Sequence, residues 1–377
     1  MTMGSSTSGR ELDHELYIPF LPDDVALECL LRVSPRSHNL LHNVSQKWRN
    51  LVNSTEFYDQ RRKEGATHSY LCLLQAAPQT NPEQPPVYCI SVLDTSKPRH
   101  QWERLPPIPE LAHLGLPLFC RLASTPGKLV VIGGWHPTTR EPLTTVYIFS
   151  FTSWTWHRGA NMPTSRSFFA CSTISQSHHI IVAGGHDHSK SALASAELYN
   201  TSTNSWQRLP NMSSTRDECM GISTSSANFL AIGGYDTSTS ISKFINTAEM
   251  YNLETNAWTT VQYMCSASTT NAVATPQGVF AFHDRYLVRR CSVDAVWEVV
   301  DQVPAGMDQG ISAVASAAGF GGGIAVTGPC SGDDEERCRS MVYRFGDGAS
   351  ARRGVWEAVP EHGDFVGATL ASCAVEC

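Results

Sequence analysis

The sequence lacks the features of a membrane-spanning, secreted or nucleic-acid-binding protein. Its longest uncharged run, residues 309–332, is rich in Gly, Ala and Ser, and two strands around a glycine turn explain it better than a membrane span. The first residues, MTMGSSTSGRELDHE, have neither the basic start nor the apolar core of a secretory signal. The net charge of −7 offers no basic surface for nucleic acid. We therefore expect a protein of the cytoplasm and/or nucleus with no membrane or nucleic-acid partner.

Metal-site and disulfide patterns are also missing. The chain has 12 cysteines but no CxxC pair, and the cysteines are spread along the whole length. Without a secretory signal, such cysteines are expected to be reduced, mostly buried thiols. No cofactor is expected. Turn-forming residues are abundant instead. The 27 glycines and 21 prolines indicate many turns and therefore many short strands.

Residues 17–64 differ from the rest by their helical spacing. Asp23 and Asp24 follow Pro22 and can cap a first helix, which Pro35 should end. A second apolar run has helical spacing and comprises Leu40, Leu41, Val44, Trp48, Leu51 and Val52. On pattern alone, this segment could also be a helical cap on the larger domain.

Two stretches of this segment, LPDDVALECLLRV (21–33) and LLHNVSQKWRNLV (40–52), resemble an F-box. The resemblance implies a small three-helix motif that binds the Skp adaptor of a cullin-based ubiquitin ligase. It assigns as adaptor-facing candidates Leu21, Pro22, Leu27, Leu30, Leu41, Val44, Trp48 and Leu51. Leu21 and Pro22 are expected at the interface and Trp48 is expected to be shared with the core, since so small a motif needs some of these side chains inside.

From residue 68 the chain carries an internal repeat. Three strand-like runs end in a glycine pair, at residues 133–134, 184–185 and 233–234. An aromatic residue then lies seven positions before a tryptophan in each repeat, and successive tryptophans are fifty and fifty-two residues apart. Repeats near fifty residues with about four strands each predict sheets stacked radially as a β-propeller.

Six tryptophans mark the blades, namely Trp102, Trp156, Trp206, Trp258, Trp297 and Trp356. The first blade lacks one strand, whereas residues 365–374 resemble the first strand of a blade that never follows. We therefore predict that the C-terminus pairs into the first blade and closes the ring, which removes an exposed edge. The predicted organisation is a disordered segment 1–16, an F-box at 17–64 and a mainly β, six-bladed propeller at 66–377.

The repeats are of kelch type, and the whole ordered chain resembles the plant F-box/kelch-repeat family. Four motifs resemble the subgroup called kiss-me-deadly: GLPLFCRL (115–122), SRSFFAC (165–171), VAGGHD (182–187) and RDEC (216–219). The resemblance implies a non-catalytic substrate receptor for ubiquitination, with phenylalanine ammonia-lyase or type-B cytokinin response regulators as targets. The last three blades diverge most, and the acidic insertion at 332–339 fits no part of the pattern.

Arg166 and Arg216 occupy equivalent repeat positions, which in kelch propellers lie at the mouth of the central channel. Two guanidiniums at one opening would suit carboxylate or carbonyl capture by a target. The alternative is an intramolecular network of arginines and carboxylates. The predicted substrate-binding set adds Asp217, Asp308, Trp135, His136, His186, Asp187 and Tyr235. For the residues that follow the glycine pairs, the alternative is ordinary turn filling.

Catalysis has less support in the sequence. Four histidines, at 178, 179, 186 and 188, are better explained as solvated loop residues than as a metal site. Spacing alone gives no Ser/His/Asp or Cys/His arrangement. The competing functions are a kelch-propeller enzyme or metal-dependent specifier protein, and a scaffold that binds a partner without degrading it.

Overall fold

The computed structural model describes residues 17–377 apart from 79–84, 97–100, 175–176, 238–242, 263, 266–268, 293–294, 306, 308–312, 318–322, 330–337, 347–353, 361–362 and 366. The predicted disorder of residues 1–16 lies outside this range. The chain divides into two compact units between Thr67 and His68. In the described parts of both units, every helix is too short or too polar to cross a membrane.

The N-terminal unit is helical, with α1 (Asp23–Leu31), α2 (His38–Leu41), α3 (Gln46–Val52) and α4 (Thr55–Lys63). The small helical motif is present as expected, but it has four helices instead of three, because the second apolar run is two helices rather than one. Serines start the later helices, because Ser45 Oγ accepts from the Trp48 amide and Ser54 Oγ from the Phe57 amide, both at 3.1 Å. These caps were not predicted from the sequence.

The start of α1 differs from the expectation. No side chain caps it; instead Asp23 Oδ1 accepts from the Tyr17 backbone N–H at 2.8 Å. The core of the unit packs the buried side chains Leu30, Leu31, Leu41, Val52 and Phe57. Arg61 on α4 is 2% exposed and donates to the Val33 and Ala66 carbonyls at 2.7 and 2.6 Å. It thereby ties α4 to the chain that follows α1.

The C-terminal unit contains six four-stranded antiparallel sheets. Blade 1 has β1 (Ser69–Ala76), β2 (Tyr88–Asp94) and β3 (Trp102–Arg104); blade 2 has β4 (Arg121–Thr125), β5 (Lys128–Ile132), β6 (Val146–Ser150) and β7 (Thr155–Arg158). Blade 3 has β8 (Ala170–Thr173), β9 (His179–Ala183), β10 (Ala196–Asn200) and β11 (Ser205–Leu209).

Blade 4 has β12 (Met220–Ser223), β13 (Asn228–Ile232), a small ribbon of β14 (Tyr235–Asp236) with β15 (Lys243–Phe244), then β16 (Ala248–Asn252) and β17 (Ala257–Val261). Blade 5 has β18 (Thr269–Thr275), β19 (Gly278–His283), β20 (Tyr286–Arg290) and β21 (Glu298–Gln302). Blade 6 has β22 (Ala313–Ala317), β23 (Gly323–Pro329), β24 (Cys338–Arg344) and β25 (Val355–Ala358). The last strand, β26 (Thr369–Glu376), belongs to blade 1.

The ring is closed by the C-terminus, as predicted. β26 pairs antiparallel with β1, with Tyr70 opposite Val375 and Cys72 opposite Cys373. The innermost strands contact one another in turn, β26 with β4, β4 with β8, β8 with β12, β12 with β18, β18 with β22 and β22 with β26. The mainly β, six-bladed fold is therefore confirmed.

The tryptophans connect neighbouring blades. Each of four indoles donates its N–H to a backbone carbonyl in the segment that follows the preceding blade. The pairs are Trp102 with Pro360 at 3.0 Å, Trp156 with Pro106 at 2.7 Å, Trp206 with Ala160 at 2.8 Å and Trp258 with Pro210 at 2.8 Å. The repeat spacing of tryptophan thus reflects a repeated contact between blades.

The cysteines of the described residues are all free thiols. Burial raises the pKa of Cys120 to about 12 and also raises that of Cys219, so both buried thiols stay protonated and unreactive at pH 8. Cys29 and Cys291 are exposed. We expect iodoacetamide at pH 8 to label Cys29 and Cys291 within minutes and the other two only after unfolding, as read by peptide mass spectrometry. Equal labelling of all four in the folded protein would contradict this packing.

Candidate functional site

The N-terminal unit leaves a set of apolar side chains open to solvent. Phe20 is fully exposed, and Leu40 and Val44 are 64% and 58% exposed. Phe20 and Val44 border a groove of about 470 Å³. We call this the N-terminal groove; its lining is Tyr17, Pro19, Phe20, Val44, Ser45, Lys47 and Trp48. Exposed apolar residues around a groove are typical of a protein-binding surface.

Polar contacts hold one wall of this groove in place. The Trp48 indole N–H donates to the Tyr17 carbonyl at 2.6 Å, and the Lys47 ammonium lies 3.8 Å from the centre of the Tyr17 ring. Lys47 also pairs with Asp23 at 3.4 Å. Trp48 therefore packs partly in the core and partly against the groove.

The predicted adaptor-facing residues divide between surface and core. Leu30 and Leu41 are 3% and 9% exposed and belong to the core, so the expectation that they face a partner is wrong. Pro22 and Val44 are exposed. The half-buried ones are Leu21, Leu27, Trp48 and Leu51. Phe20, which is fully exposed beside this set, was not among the predicted residues.

On the propeller, the second site lies where the chain enters the innermost strands of blades 2 to 4. Short bridges pair Leu118 with Trp135, Ser167 with His186 and Asp217 with Tyr235. Directly after Leu118, Ser167 and Asp217 come Phe119, Phe168 and Glu218, and each of these three has a φ between 54° and 57°. Positive φ is rare for bulky residues and is found where the surroundings impose it, often at functional sites.

A chain of hydrogen bonds crosses this region from blade 2 to blade 4. The Trp135 indole donates to Ser167 Oγ at 2.8 Å, Ser167 Oγ lies 2.8 Å from His186 Nε2, and His186 Nδ1 lies 2.8 Å from Asp217 Oδ1. With a proton on Nδ1 the ring donates to Asp217 and its Nε2 accepts from the Ser167 hydroxyl, a tautomer that we assign from this network. The aromatic rings of Phe119 and Phe168 lie 4.4 Å apart beside this chain, and Phe168 stacks on His186 at 5.5 Å.

We call Phe119, Trp135, Ser167, Phe168, His186 and Asp217 the mouth cluster. Its Ser–His–Asp order matches that of a hydrolase triad, but Ser167 is 0% exposed and its Oγ already accepts from the indole. A substrate carbonyl has no approach to that oxygen. The network therefore fixes three blades against one another and holds the half-buried rings in one arrangement.

Arg216 is buried under this cluster and serves the fold. Its guanidinium donates to the Gly233 and Thr247 carbonyls, both at 2.9 Å, and to Glu249 at 3.2 Å. Glu249 in turn accepts from the Ser213 amide at 2.6 Å. All these partners lie in or at the edge of blade 4, so the arginine ties one blade together.

Arg166 repeats this arrangement in blade 3. It is 0% exposed, donates to the Gly184 and Ser195 carbonyls at 2.8 and 3.0 Å, and pairs with Glu197 at 3.3 Å. Burial lowers the pKa of Arg166, and Glu197 opposes that shift. The expectation that Arg166 and Arg216 present guanidiniums to a target is therefore wrong, because neither side chain reaches solvent.

The glycine pairs permit the close contacts that this arrangement needs. Gly184 and Gly185 have φ values of 68° and 81°. A side chain on Gly184 would meet the Arg216 carbonyl at 2.5 Å, and one on Gly185 would meet the Ser167 carbonyl at 2.3 Å. Only glycine fits here, which explains why the pair recurs in the repeats.

The remaining predicted residues surround the mouth cluster. His136 Nδ1 accepts from the Thr138 and Thr139 amides at 3.2 Å, and Asp187 Oδ1 accepts from the Ser189 amide at 2.8 Å, so each closes its own loop. Tyr235 is half-buried on β14. Asp308 lies outside the described residues. Binding by these side chains stays a prediction.

The four histidines are not brought together. His178 and His179 lie at the start of β9, whereas His186 and His188 lie beyond its other end. Across the part of the chain that the structure describes, His, Cys, Asp and Glu side chains form no group of three that could hold a metal ion.

Comparison with known proteins matches both units. An F-box domain matches residues 18–60, and the KLHDC2/KLHL20/DRC7 Kelch-repeats domain matches residues 85–288. The chain is similar to the F-box/kelch-repeat protein At1g80440 of Arabidopsis thaliana, with 36% identity over 76% of this chain and 82% of that protein. It is also similar to the F-box/kelch-repeat protein At1g15670 of the same plant, with 39% identity over 64% of this chain and 68% of that protein.

Among solved structures, the structure of YjhT matches with a TM-score of 0.54 and 10% identity, covering 76% of this chain and 97% of that chain. At this identity the likeness shows the fold alone.

Proposed function

Because the chain belongs to the F-box/kelch-repeat protein family, we propose that it is the substrate-recognition subunit of a Skp–cullin–F-box ubiquitin ligase. The N-terminal unit binds the Skp-type adaptor, and through it cullin, whereas the propeller binds the target protein. The observation that carries the proposal is an F-box with an exposed apolar groove joined to a closed kelch propeller in one chain.

In this role the chain is an adaptor without its own chemistry. The other subunits of the ligase transfer ubiquitin, and this chain raises the effective concentration of the target's lysines near them. The buried Ser167 supports a non-catalytic role, since the triad-like chain has no accessible nucleophile. The proposed place of action is the cytoplasm and/or nucleus.

The target proposal is finer and rests on the four motifs shared with the kiss-me-deadly subgroup. These motifs supply Phe119, Ser167, Phe168, His186 and Asp217, which all lie in the mouth cluster. We therefore propose phenylalanine ammonia-lyase or a type-B response regulator as target. Pull-down of each purified candidate by the full chain tests this, and failure of both would redirect the search without affecting adaptor binding.

The adaptor proposal is tested with a surface variant. Phe20→Ala/Val44→Ala removes two exposed side chains of the N-terminal groove, so the fold should be unaffected. We expect the affinity for a purified Skp-type adaptor to fall tenfold or more, because two apolar contacts are lost. Isothermal titration calorimetry on the full chain measures this.

The matched control is Glu56→Ala/Asp59→Ala, which changes two exposed side chains of α4 away from the groove lining. It should bind the adaptor like the wild type. Equal affinity of the groove variant and this control would contradict the assigned surface, and no adaptor binding by the wild type would contradict the proposed function.

A further inference from the structure

A second groove lies on the propeller between blades 1 and 2. It holds about 300 Å³, which is at the small end of ligand sites. Its apolar lining includes Val87, Tyr88, Leu114, Phe119 and Pro137. Val87 and Leu114 are 43% and 39% exposed, although both are apolar. Phe119 belongs to the mouth cluster as well, so the groove leads towards that cluster.

The inner wall of this groove is rigid. Phe119 has a φ of 57°, and the residue before it is held by two backbone hydrogen bonds, Leu118 N–H to the Trp135 carbonyl at 2.9 Å and Trp135 N–H to the Leu118 carbonyl at 2.7 Å. The Phe119 ring also contacts Trp135 edge-on, with centroids 5.2 Å apart. A wall fixed before binding loses little entropy when a partner packs on it.

The charge of the groove has one sign. Arg140 lines it at an exposed loop tip, and among the described residues its guanidinium has no hydrogen-bond or ion-pair partner. Burial raises the pKa of the Tyr88 hydroxyl, and the positive charge of Arg140 acts in the opposite direction. Within the described ranges, the lining also holds the ionisable side chains of Tyr88 and His113 but no carboxylate. An unpaired cation is notable in a chain of net charge −7.

We propose that this groove binds a short extended segment of the target protein in which an apolar side chain lies next to an Asp or Glu. The proposal rests on the propeller being the target-binding part. The apolar side chain packs against Phe119 and Leu114, and the carboxylate accepts the two parallel N–H groups of the Arg140 guanidinium. A forked pair beside an apolar contact gives both affinity and orientation.

The test uses the purified full chain and three sets of labelled twelve-residue peptides. All sets share a central Leu or Phe; its neighbours are Asp and Glu in one set, Lys in the second, and Asn and Gln in the third. We expect fluorescence anisotropy to show at least tenfold tighter binding of the acidic set than of the Lys set, and the difference to shrink in high salt.

The variant Arg140→Glu should lose this preference. The matched control is Lys190→Glu, which makes the same charge reversal at the corresponding loop tip of blade 3, where Lys190 has a φ of 58° and Arg140 a φ of 61°. Lys190 does not line the groove, so the control should keep the wild-type preference. Circular dichroism and a cooperative thermal transition confirm that the propeller is folded in both variants.

The proposal is contradicted if no set binds, if the three sets bind alike, or if R140E keeps the acidic preference. Self-association of the wild type that R140E abolishes would assign the groove to a second copy of the chain instead. Because no adaptor is present in the peptide measurement, its failure leaves the adaptor proposal intact, and failure of adaptor binding leaves this result standing.

Discussion

Deletion of residues 369–377 is expected to abolish folding of the propeller, although the deleted segment is only the last strand and Cys377. β26 is the innermost strand of blade 1, and it contacts β22 and β4 on either side. Without it, β1 presents an open row of backbone groups and apolar side chains such as Tyr70, which is 0% exposed in the intact ring. We expect insoluble protein, or a soluble product without a cooperative thermal transition.

Moving β26 to another place in the chain distinguishes the loss of ring closure from the loss of the strand's sequence. The His68 amide donates to the Cys377 carbonyl at 2.7 Å and the Cys377 amide to the His68 carbonyl at 2.9 Å, so a two-residue Asn-Gly turn can join them. The deletion variant with residues 369–377 inserted before His68 through this turn should fold and melt cooperatively. Solubility and a normal melting transition of the simple deletion, or failure of the relocated chain, would contradict the closure that we describe.

Replacement of Arg216 by Met is expected to cost about 3–5 kcal/mol of stability. The variant leaves Glu249, which is 1% exposed, as a buried charge without its partner. It also removes donors from the Gly233 and Thr247 carbonyls. Chemical denaturation of the full chain, with tryptophan fluorescence as the signal, measures the change.

The double variant Arg216→Met/Glu249→Gln provides the control. The single amide oxygen of Gln can still accept from the Ser213 amide, which Glu249 Oε2 binds at 2.6 Å, whereas the weaker contact of Oε1 with the Ser214 amide at 3.2 Å is lost. We expect it to be more stable than the single variant, because the uncompensated charge is gone. A double variant as unstable as the single one would show that the lost carbonyl contacts, not the buried charge, dominate.

The fold was predictable because the same contacts recur from blade to blade. The tryptophans and the glycine pairs recur at fixed offsets and correspond to contacts between elements, and the last strand supplies the one that blade 1 lacks. Helix boundaries in the F-box were less predictable. Ser45 and Ser54 cap α3 and α4 through local hydrogen bonds. These bonds set where the helices begin, although the apolar spacing of the sequence looks continuous.

The arginines show why the site was harder to predict than the fold. A guanidinium at a loop position suits a target's carboxylate and an internal carboxylate equally well. The repeat itself indicated an internal carboxylate for each arginine, because Glu197 and Glu249 each lie two residues before the tyrosine of a strand in the same blade. Blade 2 has Tyr147 at that place and no arginine at the equivalent of Arg166.

The mouth cluster could not be predicted from spacing. Trp135, Ser167, His186 and Asp217 come from three blades, and only radial stacking brings them within hydrogen-bond distance. The positive φ of Phe119 and Phe168 likewise depends on the bridges that flank them. The motifs of the subgroup resemblance supply most residues of the mouth cluster, but they did not predict the hydrogen bonds that these side chains make.

The most direct test of the whole account is the lifetime of propeller-bound proteins in cells that express either the wild type or Phe20→Ala/Val44→Ala. Affinity capture with each form, followed by pulse-chase of the shared partners, compares binding with degradation. We predict the same partners with both forms, lifetimes shortened only by the wild type, and recovery under proteasome inhibition. Identical partner lifetimes with the two forms would contradict a role in ubiquitin-dependent degradation and would leave a binding scaffold.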